Sequence, residues 1–210
     1  MKPEKISYRP IKFLDRMEGN NHIVLLYEDQ KYADLIIARY ISNGLEKGES
    51  CIFFTSASTD EPDTIEKTLS AQCVDFDSYK RKNALRIYRI QKSDKDNNNS
   101  NKIDILYTLK TIRKEATKDM KPPYRFVGRT ITDTETIEGM KLGLAVEKTG
   151  HDHFEDFDCS QMCYYDISEI EKNSRHEWIR ALLKNHHYVI YASEPERAVA
   201  FETMLLESAE

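Results

Sequence analysis

Apolar positions along the chain follow two alternating patterns. Short continuous runs rich in β-branched and aromatic residues read as strands: HIVLLY (22–27), CIFFTS (51–56), LRIYRI (85–90), YRFVGRTI (124–131), MCYYDI (162–167) and YVIYAS (188–193). Between them the apolar residues recur at helical spacing. In 31–48, Leu35, Ile36, Tyr40, Ile41 and Leu45 make one stripe that stops at Gly48. Helices are also predicted over 61–72, with Pro62 in the first turn, and over 103–119. Thr134 is the expected cap of a helix over 134–150. Ser168 with Glu171 has capping-box spacing for a helix over 168–186, and a closing helix is predicted over 195–210.

Strands apolar on both faces and joined by helical crossovers imply an α/β fold. The expected architecture is a mostly parallel sheet of about six strands, covered by helices on both sides. Ligands in such a fold bind beyond the carboxyl ends of the strands. Two segments break the rhythm. Residues 1–20 are polar, end in the turn signal Gly19-Asn20-Asn21, and read as an N-terminal arm. QKSDKDNNNSNK (91–102) has low complexity and reads as a flexible surface insertion in a single domain spanning 21–210.

Composition narrows the function classes. The 210 residues include 31 Lys+Arg against 36 Asp+Glu, a net charge of −5, so a dedicated nucleic-acid binder is not expected. Mean hydropathy is −0.66, and no apolar run approaches the roughly 18 residues of a membrane span. MKPEKISYRP lacks the apolar stretch of an export signal, so a cytoplasmic protein with reduced thiols is expected.

The candidate chemistry is sparse. The first strand–helix junction, Tyr27-Glu28-Asp29-Gln30-Lys31, has no glycine and two carboxylates, which argues against a phosphate cradle. No GxSxG, HExxH or GxGxxG occurs. Cys159 and Cys163, if on an extended segment, stand about 13 Å apart and share no metal. His151 and His153 precede Glu155, Asp156 and Asp158, a ligand-rich stretch that reads more simply as a solvated loop. His186 suits the last turn of a helix. Gly139 and Gly143 have small-xxx-small spacing, which allows a helix to approach the sheet closely. No metal, cofactor or catalytic residue is predicted from these motifs.

HIVLLYEDQKYADLIIARYISNGLEKGESCIFFTS resembles the opening of the MEDS family, the methanogen/methylotroph, DcmR sensory domain. The resemblance rests on His22, Tyr27, Gly44-Leu45, Gly48-Glu49, the CIFFT strand, Arg129 in FVGRT, Cys163, Tyr165 and Asp166 in C-x-Y-D, and His186 before the last strand. It implies a relative of RecA/KaiC-type ATPases without a phosphate loop, acting as a sensory or regulatory module. Such a module binds a small organic ligand and signals in trans to a histidine kinase or transcription regulator, with homo-oligomers possible. The expected ligand contacts are Tyr27, Arg129, Cys163, Tyr165, His22 and His186.

These six do not sit together easily. In a parallel sheet, His22 and His186 belong at the amino-terminal edge, and Tyr27, Asp166 and the loop after Thr130 at the other. The carboxyl-edge residues Tyr27 and Arg129, with Tyr165, are therefore preferred as ligand contacts. Two alternatives stand beside this reading: an enzyme using Cys163 with His186 or His22 as base, and a ligand-free interaction scaffold.

Overall fold

A computed structural model describes residues 9–56, 61–72, 75–90, 104–129 and 133–204. The elements in chain order are α1 (Pro10–Arg16), β1 (His22–Tyr27), α2 (Gln30–Glu46), β2 (Ser50–Ser56), α3 (Glu61–Gln72), α4 (Phe76–Arg81), β3 (Leu85–Ile90), α5 (Ile105–Ala116), β4 (Tyr124–Gly128), α6 (Ile137–Asp152), β5 (Cys159–Asp166), α7 (Arg175–Leu183), β6 (Tyr188–Ala192) and β7 (Val199–Glu202). The strands form one sheet in the order β3-β2-β4-β5-β1-β6-β7. Every described pairing is parallel except β6 with β7.

The two-residue period of β1 sorts its side chains between the layers. Ile23, Leu25 and Tyr27 face one side with Ile36, Tyr40 and Ile41 of α2 and Leu14 of α1. Val24 and Leu26 face the other, with Met140 of α6 and Trp178 and Leu182 of α7. The β1 burial is complete on both sides, as its unbroken apolar run demands. Within the expected arm, Pro10–Arg16 form α1, which buries Phe13 and Leu14.

Three glycine-motif residues have one shared cause. Arg125 of β4 is 2 % exposed and forms a fork with Glu49, its Nε and Nη2 donating at 2.6 and 2.8 Å. Its guanidinium stacks on Tyr40 and donates from Nη1 to the Tyr40 carbonyl at 2.8 Å. A Cβ on Gly44 would stand 2.7 Å from Arg125 Cδ and Nε. Gly48 turns the chain at φ 82°, a conformation that suits glycine, and so delivers Glu49 to the arginine. The segment Gly44-Leu45-Glu46-Lys47-Gly48-Glu49 is thus built around one buried ion pair.

The structure corrects several predicted elements. There are seven strands among the described residues, because 199–202 forms β7 and not part of a closing helix. Val199–Glu202 becomes a strand because β6 offers an open edge that pairs Val189 with Phe201 and Ile190 with Ala200. Strand β4 ends at Gly128, short of the predicted 131, and β5 begins at Cys159, three residues before the predicted start. Thr136, not Thr134, caps α6, accepting from the Gly139 amide at 3.1 Å. Helix α7 starts at Arg175, because Asp166 caps a short 3-10 turn over Ile167–Glu169 and the Glu171 carboxylate holds the Asn173 and Ser174 amides. A Cβ on Gly139 would meet the Asp133 side chain, so that glycine accommodates the loop before α6 and not the sheet. Helix α4 was not foreseen. The 91–102 insertion lies outside the described residues.

No helix among the described residues is long and apolar enough to cross a membrane.

Candidate functional site

The six candidate residues separate into two places. Tyr27 ends β1 and is wholly buried; its hydroxyl accepts from Arg129 Nη2 at 3.1 Å. Burial pushes the Tyr27 phenol up, against the opposing pull of Arg129. Arg129 also lies 3.5 Å from Glu169 and over the Tyr164 ring. Beside them the β1–α2 junction is just Glu28 and Asp29, and Asp29 accepts from the Tyr32 amide at 3.0 Å to cap α2. The carboxylate therefore occupies the helix N-terminus that a phosphate would need.

His22, Cys163 and His186 converge elsewhere, with Tyr165, on the face of the sheet covered by α6 and α7. His22 is the first residue of β1, and Cys163 pairs with Val24, two steps up the neighbouring strand on the same face. His186 follows α7 and precedes β6. The fourth partner is Glu147, from the middle of α6. All four are at most 2 % exposed. Glu147 Oε2 lies 3.5 Å from Cys163 Sγ, 3.6 Å from His22 Nε2 and 3.7 Å from His186 Nε2. Cys163 Sγ and His22 Nε2 are 3.7 Å apart, and one ligand atom from each residue fits within 4.8 Å of the others.

A ring of polar groups holds this cluster. Tyr165 donates its hydroxyl to Glu147 Oε1. Gln161 Nε2 donates to Cys163 Sγ at 3.1 Å, and Arg113 Nη2 donates to Gln161 Oε1 at 2.5 Å. The Leu182 carbonyl lies 2.9 Å from His186 Nδ1. A carbonyl only accepts, so Nδ1 carries the proton and Nε2 presents its lone pair to the cluster. The His22 and His186 rings are tilted by 34° with their centroids 4.0 Å apart. Burial holds both imidazoles below the usual histidine range, His22 well below it, and the neighbouring rings add to the effect.

Sequence reasoning missed Glu147, Gln161, Arg113, His151 and His187 at this site. Glu147 had a signal: it falls on the buried stripe Met140, Gly143, Glu147, Gly150 of an otherwise amphipathic helix. A carboxyl group on such a stripe needs a partner. His151, expected in a solvated loop, lies in the last turn of α6, which runs to Asp152; its Nδ1 is 3.5 Å from His22 Nδ1. His187 accepts from the His22 amide at 3.1 Å. His153 pairs with Asp156 on the surface and is not part of the site.

An open cleft of about 710 Å³ lies against the cluster at the amino-terminal edge of the sheet. His151, His186 and His187 line it with Arg180, Lys184 and Met204.

The comparisons agree with this architecture. The KaiC-like protein from the hyperthermophilic archaeon Pyrococcus horikoshii OT3 aligns over 86% of this chain and 75% of its own, with a TM-score of 0.55 and 12% identity. That similarity establishes a RecA/KaiC-like fold. No curated protein matches the chain. The family model for MEDS, the MEthanogen/methylotroph, DcmR Sensory domain, matches residues 21–187. Most of the chain lies within that match, and the chain belongs to the MEDS sensory-domain family.

Proposed function

We propose that the chain is a sensory module that takes up a small organic ligand in the amino-edge cleft and relays its bound state to a separate signalling protein. The observation that carries this reading is the cleft itself, which opens beside His186 and the buried cluster. Its volume, about 710 Å³, suits a small molecule. Arg180 and Lys184 supply cationic donors, while Leu183 and Met204 supply apolar contact. The fitting ligand is a short hydrocarbon derivative with an oxygen-bearing or anionic end. Binding acts on a partner only through different affinities for two conformations of the domain. Helix α7 and β6, which flank His186, are the elements placed to report it.

This reading moves the preferred contacts from Tyr27 and Arg129 to the opposite edge. It is also favoured over a cysteine enzyme. Cys163 is completely buried and faces a carboxyl group, whereas reactive thiols sit in accessible, electropositive surroundings.

A thermal-shift screen with short-chain alcohols and carboxylates tests the reading. Stabilisation by a panel member should be lost in Arg180→Ala and Lys184→Ala and retained in Arg129→Ala. The reverse pattern assigns binding to the carboxyl edge. A panel without any stabilising member contradicts the proposed ligand class.

A further inference from the structure

The buried cluster has a geometry that the ligand cleft does not require. Two imidazole nitrogens stand 3.6 and 3.7 Å from one carboxylate oxygen, beyond the 2.7–3.2 Å of N–H···O hydrogen bonds. His186 Nε2 has no hydrogen-bond partner although the side chain is completely buried. A self-contained polar cluster would close these gaps, since an unsatisfied buried acceptor is costly.

The gaps match a different arrangement. Zinc bonds sulfur at about 2.3 Å and nitrogen or oxygen at about 2.0–2.2 Å, and a tetrahedron with these radii has edges of roughly 3.3–3.6 Å. Four of the six edges here are 3.5 Å for sulfur to oxygen, 3.7 Å for sulfur to nitrogen, and 3.6 and 3.7 Å for nitrogen to oxygen, and the remaining two lie within 4.8 Å. The outer contacts also fit. The His186 Nδ1–H on the Leu182 carbonyl fixes the tautomer that frees Nε2, and Tyr165 occupies the Glu147 oxygen that points away. Gln161, steadied by Arg113, donates to the sulfur.

We propose that His22, Glu147, Cys163 and His186 bind one divalent transition-metal ion of the zinc class. Thiolate with imidazole excludes magnesium and calcium, which take all-oxygen sets. Four protein ligands complete a tetrahedron, so the site is of the structural kind. The ligands come from β1, α6, β5 and the α7–β6 corner. The ion would tie the sheet to the helical layer on this face, and its binding free energy would add to folding stability. The inference rests on the cluster geometry and not on the sensory reading; loss of either leaves the other standing.

The experiment uses the full chain, stripped with a chelator and then titrated with Zn²⁺ or Co²⁺. One equivalent should bind, and zinc at a hundredfold excess over its dissociation constant should raise the melting temperature by roughly 5–10 °C. Bound cobalt should show the visible bands of a tetrahedral ion and a near-ultraviolet thiolate charge-transfer band. That band should persist in Cys73→Ser and disappear in Cys163→Ser. Folded, cooperatively melting wild-type protein that takes up no metal would overturn the proposal. So would a bound cobalt without a thiolate band, which needs no variant to fold, or a band that survives Cys163→Ser.

Discussion

Arg125 is a large charged side chain with almost no exposure, kept in the core by Glu49 and the Tyr40 carbonyl. Removing one partner of such a pair strands the other. Arg125→Ala should therefore lower unfolding free energy by about 3–5 kcal/mol in denaturant melts. Gly44→Ala, which must displace the pinned Arg125 side chain, should cost about 1–3 kcal/mol. Near-native stability for both would mean the fork is not structural. Thiol reactivity gives a second residue-level test. Burial pushes the Cys159 thiol from 9.0 up to about 11, so thiolate is scarce at pH 8, about one part in a thousand. Native protein at pH 8 should leave Cys159 unalkylated by iodoacetamide, as read by peptide mass spectrometry, and denatured protein should label fully. Rapid native labelling would show that this end of β5 opens. The site was partly legible at this scale. His22, Cys163 and His186 stood out as chemistry in or beside predicted strands, and strand direction placed both histidines at the amino edge. Glu147 was not seen, because a helix pattern does not report which partner satisfies a polar residue on its buried stripe.

At the scale of elements, an unbroken apolar run identified the central strand β1, because a strand buried on both faces leaves little room for polar residues, while the edge strand β3 keeps Arg86 and Arg89 on its half-exposed length. Helix ends were less legible. Caps depend on which side chain reaches an amide, and Thr136 and Glu171 captured amides that the pattern assigned differently. The seventh strand was missed for a tertiary reason. VAFE has no fixed preference until β6 offers an edge to pair with. Hydrogen exchange distinguishes the outcomes: the backbone of 188–192 should be strongly protected, with slowed amides also within 199–202. Coil-like exchange throughout 199–202 would remove β7 from the sheet.

For the whole molecule, the fold is RecA/KaiC-like, and the β1–α2 junction has no glycine and is closed by a carboxylate cap. Asp29 caps α2 where a triphosphate would bring its charge. The full chain should show no magnesium-dependent ATP binding at micromolar concentration and no hydrolysis; either activity would contradict this view of the β1–α2 junction. The polar chemistry instead gathers at the opposite edge, where a cleft lined by His186 adjoins four buried groups able to hold a metal and drawn from distant parts of the chain. The X-ray absorption spectrum of the zinc-loaded full chain tests this most directly. The expected first shell has one sulfur at about 2.3 Å and three nitrogen or oxygen atoms at about 2.0–2.2 Å. A shell without sulfur, or with two or more, would contradict a centre built from His22, Glu147, Cys163 and His186.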